Sequence, residues 1–299
     1  MDTKNVIAAI SLSAAVIVLY ALFFPPSPTQ KSQDLSGKNK IEQNSDMPTL
    51  EQKKKVIKIS RDEAINQNDR INFENQDIKG SISLKGAIID DLTFKNYNKN
   101  LESNQNVILL HPRNVKDGYF IESGFVTSDK NIDIPTSNTL WEIKGNNKLT
   151  NQTPINLSWT NNQGLTFEKK ISLDDKFLFT VKQRVVNSTN KKFDFYSYGQ
   201  IIRNEIPEGL SNFYILHEGM LAALDGELFE EDYDDISEKK FNKTANIGWF
   251  GIGDKYWISS IIPPRNKEFK ITFDYKDKFR ANFISTEPIE LSSNSNIEE

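Results

Sequence analysis

From about Ile71 to Phe283 hydrophobic and polar positions alternate with a period of two, the spacing of half-buried β-strands. In "GSISLKGAIIDDLTFK" the positions Ile82, Leu84, Ile88, Leu92 and Phe94 are expected to share one face. Ser81, Ser83, Lys85, Asp91, Thr93 and Lys95 mostly take the other. "FKITFDYK" repeats the pattern, setting Phe269, Ile271, Phe273 and Tyr275 against Lys270, Thr272, Asp274 and Lys276. "GLTFEKKISLDDKFLFTVKQRVVN" reads as two strands joined at Asp174-Asp175, with Phe177, Phe179 and Val181 on one face. An apolar face opposite a polar one predicts antiparallel sheets with a solvated side. About fifteen such short segments are separated by turn residues. No long helical pattern alternates with them, which excludes a doubly wound α/β domain. The prediction is an all-β fold, a large antiparallel β-sandwich forming one cooperative unit over residues 60–290. One short helix opens it, since Ser60 and Glu63 in "SRDEAI" stand at capping-box spacing. Residues 291–299 read as a disordered tail.

Two other patterns precede the strands. Val6 to Phe24, "VIAAISLSAAVIVLYALFF", runs 19 residues without a charge. As a helix it spans roughly 28 Å, close to the hydrocarbon thickness of a bilayer. A cleavable signal peptide has a shorter apolar region and a small-x-small exit, whereas this run ends in bulky residues and Pro25-Pro26. Residues 1–24 therefore read as an uncleaved transmembrane signal anchor. Lys4 and the amino terminus precede it and no positive charge follows until Lys31, which favours a cytoplasmic N-terminus. Residues 25–59 are rich in Pro, Ser, Gln, Asn and Lys and read as a flexible polar linker. Lys53, Lys54 and Lys55 are read as part of that solvated linker rather than as a lipid-headgroup site.

Composition narrows the function. The 299 residues are 37% hydrophobic and 26% charged, which supplies a sizeable core. A net charge of −4 argues against nucleic-acid binding, which needs a basic surface. The absence of cysteine removes disulfides, thiolate metal sites, thiol nucleophiles and a lipid-modified N-terminal Cys. With only His111 and His217 present, a multi-histidine metal site is not expected.

One stretch resembles a phosphate loop. In "GWFGIGDKYWISSIIP" Gly248 and Gly253 have Walker spacing, but Asp254 replaces the lysine and the following residues read as a strand ending at prolines. A phosphate loop must lead into a helix. The stretch is instead expected to be a hairpin with Gly253-Asp254 as a Gly-first two-residue loop. Gly248 and Gly251 then mark close backbone approach, and Trp249 and Trp257 are expected in the core.

The N-terminal anchor with "MDTKNVI", the polar linker, "GSISLKGAIIDDLTFKNY", "GLTFEKKISLDDKFLFTVKQRVVN", "GMLAALDGEL" and "GWFGIGDKYWISSIIP" follow in that order. Together they resemble, over nearly the whole chain, the N-terminal half of the bacterial YidC insertases of the YidC/Oxa/Alb superfamily. The resemblance implies a Gram-negative inner-membrane protein with a cytoplasmic N-terminus and a periplasmic β-supersandwich akin to galactose mutarotase-like domains. It implies an accessory, non-enzymatic part of an insertase and chaperone for inner-membrane proteins. The implied partners are the Sec translocon (SecYEG, SecDF), nascent inner-membrane proteins, and the bilayer through the N-terminal helix. Five further spans, which carry insertase activity in that family, do not follow "EPIELSSNSNIEE", so the chain is expected to be a fragment or truncated product.

The alternative is a periplasmic sugar-binding or mutarotase-like domain, an analogy from fold alone. The sequence offers it little chemistry. His217 and Glu218 are neighbours that point to opposite faces of a strand. The acidic run Glu227, Glu230, Glu231, Asp232, Asp234 and Asp235 lacks the spacing of a calcium loop and reads as a solvated face. Asn-x-Ser/Thr triplets at Asn151, Asn156, Asn187 and Asn242 carry no weight in an Asn-rich bacterial chain. No catalytic, cofactor-binding or metal-binding residue is assigned, and no cofactor is expected.

Overall fold

The computed structural model describes residues 59–207, 217–265 and 267–299; the expected anchor over 1–24 and all but the last residue of the expected linker lie outside them. Helix α1 (Arg61–Asn66) opens the described chain with the expected capping box. The Glu63 N–H donates to Ser60 Oγ at 3.3 Å, and the Ser60 N–H donates to the Glu63 carboxylate at 2.9 Å. Strands β1 (Arg70–Glu74), β2 (Ile78–Ser83), β3 (Ile88–Asn98), β4 (Asn106–Leu110) and β5 (Tyr119–Val126) follow. Then come β6 (Glu142–Ile143), β7 (Lys148–Leu149), β8 (Ile155–Thr160), β9 (Leu165–Leu173), β10 (Phe179–Asn187) and β11 (Phe193–Arg203). Next are β12 (Gly219–Leu224), β13 (Glu227–Asp232), helix α2 (Tyr233–Glu238), β14 (Phe241–Ala245) and β15 (Gly248–Gly253). The described chain closes with β16 (Ile258–Ile261), β17 (Phe269–Tyr275), β18 (Phe279–Ser285), β19 (Ile289–Leu291) and β20 (Asn296–Glu298). Strands of two or three residues, such as β6, β7, β19 and β20, carry too little alternation to be read from sequence.

An 11-stranded sheet runs in the order β14-β17-β18-β11-β5-β3-β2-β1-β7, with β19 also on β11 and β4 also on β3. A five-stranded sheet, β20-β10-β9-β8-β6, and a four-stranded sheet, β13-β12-β15-β16, complete the architecture. The pairings are antiparallel as expected, except that β1 and β7 run parallel with Asn72 opposite Lys148. Buried apolar residues from all three sheets form one cluster. Phe195 of β11 meets Phe125 of β5 at 6.1 Å and Phe167 of β9 at 5.8 Å, which packs the large sheet on the five-stranded one. Phe250 of β15 meets Phe273 at 6.4 Å and Phe283 at 6.2 Å, which packs the four-stranded sheet on the large one. Each fully buried phenylalanine contributes about 1.5–3 kcal/mol of transfer free energy.

Strict alternation fails in β3. Ser81 pairs with Asp91 while Ile82 pairs with Ile89, so Asp90 is left without a ladder partner in a β-bulge. An extra residue reverses the facing of the strand on one side of it. Ile88 therefore does not share the face of Leu92 and Phe94; it packs with Phe120 and Ile202 in a separate cluster, while Ile89 joins the main core. The polar face is not solvated either, because Ser81, Ser83, Asp91 and Thr93 are buried. Arg70 holds the bulge: Nε donates to Ser81 Oγ at 2.8 Å, and Nη2 donates to Ser81 O at 3.2 Å and to the Asp90 carboxylate.

Three further expectations are corrected. The hairpin of β15 and β16 pairs Gly253 with Ile258, so Gly253 is a strand residue and the connection is Asp254 to Trp257. The Asp254 N–H closes it by donating to Trp257 O at 2.7 Å. Trp249 and Trp257 are half-buried, and Trp141 is the buried indole instead. Residues 291–299 are not a disordered tail. β10 offers a free edge, and β20 takes it with Ile297 opposite Val185 and Leu291 buried before it. The glycines of the hairpin do mark close approach: a Cβ at Gly248, where φ is +153°, would stand 2.2 Å from Ala223 O, and one at Gly251 would stand 2.4 Å from Ser259 O.

Candidate functional site

The polar face of β1, β2 and β3 floors a groove of about 1020 Å³. Asp91 and Thr93 lie at its base, with Asn104 and Asn106 on the β3–β4 side and Lys148 on the β7 side. Bringing β2 so close to β3 requires Gly80, where a Cβ would stand 1.9 Å from Asp91 O and 2.6 Å from the Phe73 ring. The two carboxylates of the groove, Asp91 and Glu74, are already engaged. Asp91 accepts from the Arg61 guanidinium and from Ser81 Oγ at 2.6 Å. Glu74 accepts from Lys95 Nζ at 2.9 Å, and that hydrogen bond holds its carboxyl below the ordinary range. Amides such as Asn106, whose Nδ2 donates to Lys95 O at 2.9 Å, complete a wall suited to hydrogen-bonding a polar ligand. No histidine lines the groove among the described residues, and no carboxylate there is poised as a free general base.

A second polar site is enclosed between β5, β9 and β10. Lys169 is buried; its Nζ donates to Ser123 O at 2.5 Å and lies 5.2 Å from the centroid of the Trp141 ring. Burial pulls its ammonium down to about 8, against the attraction of Glu122. The Glu122 carboxylate in turn accepts from Gln200 Nε2. Trp141 Nε1 and Gln183 Oε1 are buried without a protein hydrogen bond, and the space among these groups, about 20 Å³, suits one water and no organic ligand.

The residues singled out from sequence are scattered. His111 Nδ1 lies 3.3 Å from the Asp117 carboxylate, and burial lowers the affinity of the ring for a proton. His217 Nδ1 lies 3.2 Å from Asp232, and its Nε2 is 3.1 Å from Met220 O. Of the acidic run, Glu227, Glu230, Asp232, Asp234 and Asp235 are exposed, and Glu227 is 3.4 Å from Lys243. Among the described residues no group of three or more His, Asp or Glu side chains is placed to hold a metal. Sequence reasoning missed Arg70, Asp90 and Lys169. The signal was present as Ile88-Ile89-Asp90-Asp91, which breaks alternation, and as Lys169-Lys170, where one of two adjacent strand lysines must point inward.

The YidC periplasmic domain family matches residues 70–299. The chain belongs to the YidC family. It is 62% identical over 299 residues to a protein from Pelagibacter ubique named membrane protein insertase YidC, covering 100% of this chain and 53% of that protein. A Rickettsia prowazekii YidC insertase is 35% identical over 290 residues, covering 94% of this chain and 51% of its own length. The chain thus spans about half the length of the curated YidC relatives it matches. Among solved structures, a galactose mutarotase related enzyme from Lactobacillus acidophilus superposes with a TM-score of 0.50 at 10% identity, covering 77% of this chain and 95% of that one. At that identity the likeness shows the fold alone: a mutarotase-like β-supersandwich carried by a YidC chain.

Proposed function

We propose that this chain is the N-terminal part of a membrane protein insertase and chaperone, assisting insertion and folding of inner-membrane proteins. Its β-supersandwich serves in the periplasm as an accessory, partner-docking module without enzymatic activity, behind a membrane anchor whose N-terminus is cytoplasmic. The partners in this reading are nascent inner-membrane proteins and the Sec translocon (SecYEG, SecDF). The observation that carries it is the 62% identity over the whole chain to a YidC insertase. The groove supports a binding rather than a catalytic role, since Asp91 and Glu74 are each tied to a cation. The test is a chimera that joins this chain to the remaining C-terminal part of the Pelagibacter protein, expressed in cells depleted of their own insertase. Growth is the expected result. Failure of the chimera where the intact Pelagibacter protein sustains growth would overturn the reading.

A further inference from the structure

Two connections of the sandwich, β9–β10 and β15–β16, meet strand β3 in one aromatic cluster. Phe94 of β3 stacks on Trp257 at 4.4 Å, Tyr97 meets Trp257 edge-on at 4.9 Å, and Phe177 meets Phe94 at 5.9 Å. Phe94 is buried, whereas Tyr97, Phe177, Leu178 and Tyr256 expose between 46% and 71% of their surface. The loops are held in place. Asn75 Nδ2 donates to Asp174 O at 3.0 Å and to Lys176 O at 2.7 Å, which fixes the β9–β10 turn. Arg203 Nη1 donates to Asp254 at 2.6 Å, which fixes the β15–β16 loop. Exposed aromatic rings gathered in this way on a protein surface mark an interaction site.

We infer that this patch docks on the headgroup interface of a lipid bilayer, an inference that rests on the membrane reading of the family. Its chemistry is that of the interface, where tyrosine and tryptophan place an apolar ring among acyl chains and a polar edge among headgroups. Lys176 and Lys255 stand exposed on the same loops, beside Asp174, Asp175 and the Arg203-paired Asp254, and Lys255 Nζ lies 5.2 Å from the Tyr256 ring centroid, a position from which a lysine snorkels to phosphate. The chain outside the described domain supplies proximity. The uncharged run Val6–Phe24 is separated from Ser60 by 35 residues, 25–59. In the membrane reading, a connection of that length limits how far the domain can stray from the bilayer, so even weak interfacial affinity is sufficient.

The chain has no cysteine, so single cysteines accept a spin label without background. The full chain is reconstituted in liposomes of phosphatidylethanolamine and phosphatidylglycerol as Tyr256→Cys, Phe177→Cys, Leu228→Cys or Ala14→Cys. Leu228 is exposed on β13 and serves as the aqueous reference. Labels at 256 and 177 are expected to collide severalfold more with oxygen, relative to a water-soluble nickel chelate, than the label at 228. Lys176→Glu with Lys255→Glu should return them toward the aqueous value. Equal accessibility at 256, 177 and 228, with the label at 14 in lipid, would overturn the docking inference alone. Aqueous exposure at 14 would overturn it together with the membrane reading. Shielding at 256 from both reagents, growing with the protein-to-lipid ratio, would assign the patch to a second copy of the chain and overturn the inference.

Discussion

Phe73 and Asp90 are almost equally hidden from water, at 1% and 3% exposure, and stand within two strands of each other. Phe73 is held by shape: it pairs across β1 and β2 with Gly80, meets Phe179 edge-on at 5.1 Å, and lies in the main apolar cluster. Asp90 is held by charge, with its carboxylate on the Arg70 guanidinium and both side chains buried. Burial nonetheless raises its proton affinity, with Arg70 opposing that shift. Apolar burial tolerates local relaxation, because its energy is spread over many weak contacts. Ionic burial concentrates its energy in one geometry, so losing either partner strands the other charge. The apolar site supplies stability, and the ionic site specifies where the bulge lies and hence which residues face inward.

The comparison breaks most visibly when one ion partner is removed. Asp90→Ala is expected to cost about 3–5 kcal/mol, because it leaves Arg70 buried and unpaired. Phe73→Ala is expected to cost a similar 3–5 kcal/mol by leaving a cavity. The two differ in rescue. Arg70→Met combined with Asp90→Leu should recover most of the loss, whereas no polar change near Phe73 should refill its cavity. Urea unfolding of the full chain in detergent, followed by intrinsic fluorescence, measures each value. A double variant no better than Asp90→Ala would refute the ionic account.

Lys169 extends the contrast to pH. Its folded-state value of about 8 lies below that of a solvated lysine, so the unfolded chain binds the proton more tightly. Below pH 8 both states carry the charge and the native state bears the full penalty of about 3 kcal/mol; that penalty fades between about pH 8 and pH 10.5. The stability of the wild type relative to Lys169→Met should therefore rise across that window. A flat difference would show that the ammonium is better solvated than its position between β5 and β9 implies.

A smaller effect is expected where backbone closeness rather than charge sets the geometry. Gly80→Ala forces its new methyl toward Asp91 O and the Phe73 ring, and should cost about 1–3 kcal/mol. The loss should be partly recovered in Phe73→Leu, which removes the ring but not the carbonyl. If Phe73→Leu restores all of it, the steric conflict lies with the ring and not with the β2–β3 ladder.

The same contrast explains what the sequence disclosed. Alternation in Phe269, Ile271 and Phe273, or in Leu165, Phe167 and Ile171, marks inward faces, because apolar burial follows strand period. The two-strand reading around Asp174-Asp175 holds for the same reason, with β9 and β10 paired from Leu165 with Asn187 to Leu173 with Phe179. The facing of Ile88 was not legible from period alone, since it depends on an ion pair between residues 20 positions apart. The groove was hidden for a related reason. Asp91 and Thr93 look like solvent residues, and only the pairing of β1, β2, β3 and β4 makes them a floor. The aromatic patch combines residues from three distant segments, and no local pattern links Tyr97, Phe177 and Trp257.

The smallest effect belongs to the feature most plainly written in the sequence. In "SRDEAI" the capping box satisfies two backbone donors at the start of α1, through Ser60 Oγ and the Glu63 carboxylate. The hydrogen bonds from Ser60 hold the Glu63 carboxyl below its ordinary value even though it is solvated. Ser60→Ala removes the hydroxyl acceptor and is expected to weaken the helix by about 1 kcal/mol. The six residues of α1 bury only Ala64, so the helix is loosely coupled to the sheets except where Arg61 reaches Asp91 at the groove floor. The substitution should therefore speed amide hydrogen exchange in residues 61–67 about fivefold while leaving the urea midpoint of the sandwich unchanged. Exchange that quickens equally in β3 would mean that α1 and the groove unfold together, and that the ion pair of Arg61 and Asp91 couples local to global stability.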